Sequence, residues 1–578
     1  MRRVGLLVSF IAAQALTLIA VVSPVMNQGW LSGFRNYFSN DQLSYAAIAT
    51  NVAHGNVALV EPFTLTNSLY YPSLWYQVLG GFSHLTGMPV FTAWNVLGTS
   101  AVCTLIAGLG IIAWLMARRV WAPVIPAIAL FVGTFATVTS DYWYTSLDHH
   151  AVLWGAFGTF FTLNAEAIGL CLNGLAIGLL AFAGFRQGSS PRARPWLLMV
   201  SGALIGITAN IQTYNFFTGV AIAAFWACAY SLITTRSKPL IIMTVALLAL
   251  MFVIGRPFAD QVGHIPVYGL LLLALAPAVL PLVRHHLKAA LAFLIPLALL
   301  AAPQVLRTAF GLAEKDPFLT YRQGSTEDLG VPLLHGLLAG LPVLLVVATC
   351  IVSFTFSKRP WLTAGLLGGG FAWIILSLND VWGFSQEPYR LWIQGLILTS
   401  LLSFTLLPVA LVDGLSAPRA RAVFLPLLVV TTIAVAISLL DFPGFWRFAH
   451  EQGVMPAADS RADALAQAAD APGALIGAGP CIDPQLVKLV SGARVAFENK
   501  GLAWAENRDA IQALMAAHST NTITPVLLKA AHVGALLTDS ACDVSLNFTA
   551  GDHIAPEAVF DYTNPDGSFT ITRWRVSN

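Results

Sequence analysis

Charge is what this 578-residue chain has least of: Asp, Glu, Lys and Arg make up 10% of it, against about 25% in a soluble domain. With 57% hydrophobic residues and a mean hydropathy of +0.72, that shortage excludes a freely soluble protein. The basic residues are scattered one or two per connection, which excludes a nucleic-acid patch, and the net charge of +2 selects no partner by sign. Cysteine is scarce, at six residues, and Cys103, Cys171, Cys228 and Cys350 sit inside apolar stretches as small hydrophobes. No P-loop, Gly-rich nucleotide motif, Ser/His/Asp signature, internal repeat or low-complexity run occurs in the chain.

What the chain does have is a succession of apolar runs near the roughly 20 residues that a spanning helix needs. They fall near 4–25, 90–117, 121–140, 163–185, 196–213, 215–234, 239–255, 266–283, 289–306, 333–356, 361–378, 390–412 and 422–440, which is about thirteen spans. The connections alternate in character. One set is short and basic, with Arg118-Arg119, Arg236 and Lys238, Arg284 and Lys288, and Lys358-Arg359. The other is longer and acidic, with Asp41, Glu61, Asp141, Asp148, Asp260, Asp380 and Glu387. Lys and Arg are retained on the cytoplasmic side, so the N-terminus is expected inside, and an odd count puts the C-terminal region outside. Met1-Arg2-Arg3 with the apolar run to Val25 reads as a retained first helix in place of a cleaved signal.

The predicted class is a polytopic α-helical protein of the plasma membrane with a small C-terminal extracytoplasmic α/β or α+β domain. The membrane module is expected over 1–443, with long outer loops at 26–89, 141–162 and 307–332, and the outer domain over 444–578. Cys481 and Cys542 lie in that domain, where an oxidising compartment favours one disulfide and the alternative is two thiols.

Only one face is elaborated, and the candidate chemistry lies there. Asp41, in Ser39-Asn40-Asp41-Gln42-Leu43-Ser44-Tyr45, is either a helix cap or a general base at the membrane surface. Asp148, His149 and His150 follow an aromatic run and read as an interfacial belt, as sugar contacts or, with Asp148, as ligands of a divalent cation. Arg390 opens an apolar helix from the side where cations are scarce, beside Glu387 and Tyr389, and its fork suits a phosphate. Lys315 and Arg322 are further phosphate candidates, and Glu166 is an ionisable group near the outer end of a span. Trp504, Trp574, His553 and Asp561 in the tail form no catalytic pattern.

Asp41 just after the first span, with Tyr70-Tyr71-Pro72-Ser73-Leu74-Trp75-Tyr76 leading to the second, resembles the GT-C class of polyprenyl-phosphate-sugar-dependent glycosyltransferases. The similarity is closest to actinobacterial cell-wall arabinofuranosyltransferases, which also carry an outer C-terminal domain. It implies a GT-C-like fold and an inverting transfer, with arabinofuranose or mannose as the sugar. The donor would be a polyprenyl-phosphate sugar and the acceptor an envelope glycan or lipid. Asp41 would be the base, and Tyr45 and Tyr71 would contact substrate. A divalent cation is left open, since some members use one. A transporter or flippase and a glycan ligase or polymerase are the rival readings; the lack of repeats and of mid-span charge speaks against the transporter.

Overall fold

The computed structural model describes residues 2–28, 31, 33–35, 39–56, 59–135, 154–185, 193–324, 331–416, 418–451, 454–455, 460–542 and 553–577. Among them, ten helices are long and apolar enough to cross a membrane, or eleven if Leu333–Ala339 and Leu341–Phe356, bent by 70° at their junction, form one span. In lipid every backbone N–H and C=O must be paired within the segment, which is why apolar runs become helices. The chain is thus a multi-pass helical membrane protein with a small C-terminal sheet domain.

Two expected spans are shorter than the hydropathy implied. The 121–140 run holds Ala122–Phe131, and the 196–213 run holds Pro195–Thr208. In the first, Pro123 and Pro126 remove N–H donors, and the segment breaks into short 3₁₀ and α pieces. The expected polar loop at 307–332 is largely helical. The helix Leu287–Ala313 runs into it, and a second helix, Pro317–Gly324, follows. Asp316 starts that second helix, its Oδ1 accepting the Leu319 N–H at 3.0 Å ahead of a proline in the first turn.

The chain divides into two compact units: Met1–Met26 with Gly98–Gln452, and Asn27–Leu97 with Gly453–Asn578. In the first, helices approach through small residues, as expected where lipid is as apolar as the side chains. Gly365 and Gly368 of the helix Pro360–Ser377 lie against Trp226, and a Cβ on Gly368 would stand 2.5 Å from the Trp226 backbone nitrogen. Asp413, an acid on the face marked as basic, is gripped by Arg359 through two contacts of 2.5 and 3.2 Å.

The second unit joins the segment after the first span to the tail. Strands β1 (Phe34–Arg35) and β2 (Val454–Met455) pair antiparallel. The tail sheet contains β3 (Leu475–Ala478), β4 (Arg494–Val495), β5 (Ala535–Asp539), β6 (Ile554–Asn564) and β7 (Gly567–Val576), in the order β4-β3-β5-β7-β6. The first three strands are parallel, and a β6–β7 hairpin closes one edge. Alternate residues feed opposite faces: Ile476, Leu537 and Ile571 enter one core with Leu465 and Val487, while Leu475, Leu536 and Val576 enter another with Ile511 and Leu514. The tail is therefore a mixed sheet with helices on both sides. Cys481 and Cys542 are joined as a disulfide, with Cα atoms 6.5 Å apart.

Segment and tail are stitched by polar contacts. The Val495 N–H donates to the Phe63 carbonyl at 2.9 Å and Arg494 Nε to the Thr64 carbonyl at 2.8 Å, while the Phe63 and Phe497 rings meet at 4.7 Å. Two opposite charges are buried here. The Glu61 carboxylate accepts the Phe63 and Thr64 N–H groups at 2.9 and 2.7 Å, and Lys488 Nζ donates to the Gly492 and Ala493 carbonyls at 3.1 and 2.8 Å. Burial pushes the Glu61 carboxyl up to about 7, against the pull of those donors and of Lys488. Burial likewise pushes Lys488 down to about 7, against the pull of Glu61.

Between 4.5, the ordinary Glu value, and about 7, only the folded state keeps the Glu61 proton, so stability falls as pH rises. Between about 7 and 10.5, only the unfolded state keeps the Lys488 proton, so stability rises with pH. Melting of this unit in the full-length protein, followed against pH, is expected to pass through a minimum near neutrality, and Lys488→Met should abolish the alkaline rise. A rise that persists unchanged in Lys488→Met would refute this account.

Candidate active site

Asp41 is the third residue of the helix Ser39–Ala53, in its first turn, where the unsatisfied N–H groups of the helix end favour an anion. It is not the cap that the sequence offered as its plainer role. The sequence supplies the fixation from far away. Asn499 Nδ2 donates to Asp41 Oδ1 at 3.2 Å and to Ser44 Oγ at 3.0 Å, and Gln485 Nε2 donates to the same Ser44 oxygen at 2.9 Å. One turn on, Tyr45 stacks between Tyr71 and Tyr76, with ring centroids 5.4 and 5.1 Å away. Tyr45 and Tyr71 thus form one aromatic wall within the unit that holds Asp41.

Asp41 lines a cavity of about 810 Å³ together with Asp483, Glu498, Asn499, Lys500 and His518. Three carboxylates meet this space, and two of them have structural duties. Asp483 caps the helix Pro484–Ser491 by accepting the Gln485 N–H at 2.8 Å. Glu498 takes the Ala505 N–H at 3.1 Å, Gln512 at 2.9 Å and Arg508 at 3.2 Å. Among the described residues, Asp41 is the carboxylate whose bond comes from a side-chain amide and no cation, a setting suited to accepting a proton from a hydroxyl.

A second group assembles in the membrane unit. Arg322 Nη2 stands 3.2 Å from Glu387 Oε1 and 3.4 Å from the Tyr214 hydroxyl. Arg390 pairs closely with Glu387, reaches Glu166 Oε2 at 3.4 Å and donates from Nε to the Tyr389 hydroxyl at 3.1 Å. Gln394 Nε2 supports Glu166 Oε1 at 2.9 Å, and the Thr218 hydroxyl in turn donates to Gln394 Oε1 at 3.1 Å. The four charges balance, but their exposure does not: Arg322 and Arg390 are 29% and 22% exposed, while Glu387 and Glu166 are 10% and 2% exposed. The acids are sunk beneath the cations, so the open side of a neutral cluster is positive. Burial alone would push the Glu387 carboxyl up, yet Arg390 and Arg322 hold it below the ordinary range and keep it charged. Glu387 also carries a backbone φ of +37°, and Ser385 one of +46°, conformations that cost energy outside glycine.

Among the residues singled out in the sequence, Arg322, Glu387, Tyr389, Arg390 and Glu166 thus come together. Lys315 does not join them: it is exposed and ends the helix Leu287–Ala313 with φ +56°. Asp148, His149 and His150 lie outside the described residues. Among the described residues no group of three or more His, Cys, Asp or Glu could hold a metal ion. Tyr214, Gln394, Ser44, Gln485 and Asn499 were not anticipated. Tyr214, at the start of an apolar helix, carries the weak signal of an interfacial aromatic; the others leave no local pattern.

No protein-family model and no curated protein matches the chain. Solved structures do. The chain is similar to the oligosaccharyltransferase AglB of the archaeon Archaeoglobus fulgidus, in complex with an inhibitory peptide and a dolichol-phosphate. That match has a TM-score of 0.50 at 13% identity and covers 99% of this chain and 74% of that one. It is also similar to ArnT from Cupriavidus metallidurans in the apo state, with a TM-score of 0.50 at 12% identity over 99% of this chain and 98% of that one. At such identities the likeness is one of fold, and the fold is GT-C-like. It does not reach the arabinofuranosyltransferase grouping that the sequence resembles.

Glu166 tests whether the buried cluster is built as described. Glu166→Leu strands Arg390 beside one carboxylate fewer and should cost about 3–5 kcal/mol, whereas Glu166→Gln keeps an acceptor and should cost less. Thermal unfolding of the purified variants in detergent would measure both, and a stable leucine variant would contradict the arrangement.

Proposed function

We propose that this protein is a membrane glycosyltransferase that moves a sugar from a polyprenyl-phosphate donor to a hydroxyl of a cell-envelope glycan or lipid. The observation that carries the proposal is Asp41: a carboxylate in the first turn after the first span of a GT-C-like fold, bonded by an amide and lining a polar cavity. The AglB neighbour in complex with a dolichol-phosphate adds support for a lipid-phosphate ligand.

In this reading the acceptor hydroxyl attacks the anomeric carbon of the donor sugar and its proton passes to Asp41. The bond from that carbon to the phosphate oxygen breaks, and the lipid phosphate leaves with the electron pair. The sugar configuration inverts, because a single displacement proceeds from the face opposite the leaving group. Arg322 and Arg390 bind the phosphate, which their exposed guanidinium edges suit, and Tyr389 and Glu387 orient them. Lys315, exposed near these helices in sequence, adds positive charge, and Asp148 and His149 contact sugar. Arabinofuranose or mannose is the transferred sugar, and the acceptor belongs to an actinobacterial type of cell wall, as the sequence resemblance implies.

The test is transfer by the purified full-length protein from polyprenyl-phosphate-linked arabinofuranose or mannose to envelope glycan acceptors. Asp41→Asn is expected to lower kcat by at least about 10²-fold, as for loss of a general base, while donor retention persists. Arg322→Ala and Arg390→Ala should weaken donor retention instead. Full transfer by Asp41→Asn would sink the assignment of the base, and transport without transfer would sink the enzyme class.

A further inference from the structure

We infer that Asn499, contributed by the C-terminal domain, is the residue that aims the Asp41 carboxylate at the acceptor hydroxyl. The inference rests on the reading of Asp41 as the base and adds to it a positioning residue from the tail.

The argument starts from the ends of the Asn499 amide. Its Oδ1 accepts the Gly501 N–H at 2.9 Å, a local turn contact two residues on. Because an N–H needs an acceptor, that contact determines which end of the amide faces the other way. The NH₂ group is therefore the end presented to Asp41 Oδ1 and to Ser44 Oγ. Gln485, also from the tail and only 2% exposed, donates to the same Ser44 oxygen. Two tail amides thus converge on one face of the helix Ser39–Ala53. One lies on the candidate base itself, and the other lies on the hydroxyl one turn away.

A carboxylate with one oxygen engaged by an N–H donor cannot rotate freely. In this scheme its other oxygen meets the hydroxyl proton, and the cavity of about 810 Å³ that Asp41 lines with Asn499 provides the room. Asn499 is a positioning residue in this scheme, since the proton goes to Asp41.

Asn499→Asp separates this role from the turn contact. A carboxylate at 499 accepts the Gly501 N–H as well as the amide does, but it offers Asp41 a like charge and no donor. The expected result in the full-length protein is a kcat about ten- to a hundredfold lower, in line with loss of one charge-assisted hydrogen bond. The KM for the polyprenyl-phosphate sugar should be unchanged, and the acid limb of the pH–rate profile should move to higher pH. A melting cycle with Asp41→Asn, Asn499→Asp and the double variant reads the contact without turnover: Asn499→Asp should lower the melting temperature above the acid range, and Asp41→Asn should restore it. Wild-type kcat with an unshifted profile in Asn499→Asp, or strictly additive melting shifts, would overturn the inference. The two failures are distinguishable. An inactive Asp41→Asn beside a fully active Asn499→Asp removes only the positioning role, whereas an active Asp41→Asn removes the base.

Discussion

The hydrogen bonds between the segment after the first span and the tail are the constraint on which the Asp41 region depends. Gln485 and Ser44 are 441 positions apart in the chain, and Asn499 and Asp41 are 458 apart. Closing such a loop costs entropy that grows slowly with its length. The join therefore needs many contacts, and it has them: a two-residue ladder, the Phe63–Phe497 ring pair, the Arg494 bond to Thr64 and the Val495 bond to Phe63. The buried Glu61 carboxylate takes its hydrogen bonds from Phe63 and Thr64 of its own segment, while the Phe63 and Thr64 carbonyls bond Val495 and Arg494 of the tail. Burial of Glu61 and Lys488 is a cost, offset in part by the hydrogen bonds that both groups make.

The membrane unit handles charge differently. Its four charged groups neutralise one another, and graded exposure gives the cluster polarity without net charge. Two buried acids fix two partly open guanidinium groups, so the cations lose little further freedom when an anion arrives. Among the described residues Asp41 has no cation as a hydrogen-bond donor, and an amide holds it. In the proposed function, the group that holds an anion and the group that takes a proton are thus prepared by opposite means.

Much of the membrane architecture was legible in the chain because lipid allows one solution for an apolar run of sufficient length. Val90–Ala117 and Ala165–Phe185 were placed almost to the residue. The failures are local. Hydropathy does not register the prolines that shorten the 121–140 run, nor the helix that Asp316 and Pro317 start inside a polar stretch. Arg390 and Glu166 stood out because ionisable groups at the ends of spans are costly. Asn499, Gln485 and Gln394 did not, because a neutral amide carries no such penalty and its partners lie far away in sequence. An α/β or α+β tail was expected, but the order of its strands across the sheet depends on crossovers that composition does not encode.

The pairing of 27–97 with 453–578 also bears on biogenesis. Synthesis proceeds from the N-terminus, so the helix carrying Asp41 is made long before its tail partners. During that interval Asp41 lacks its amide, and the strand Phe34–Arg35 lacks the partner strand Val454–Met455. A chain arrested after its last span would carry its apolar helices but not the strand, the ring pair and the amides that join the segment to the tail.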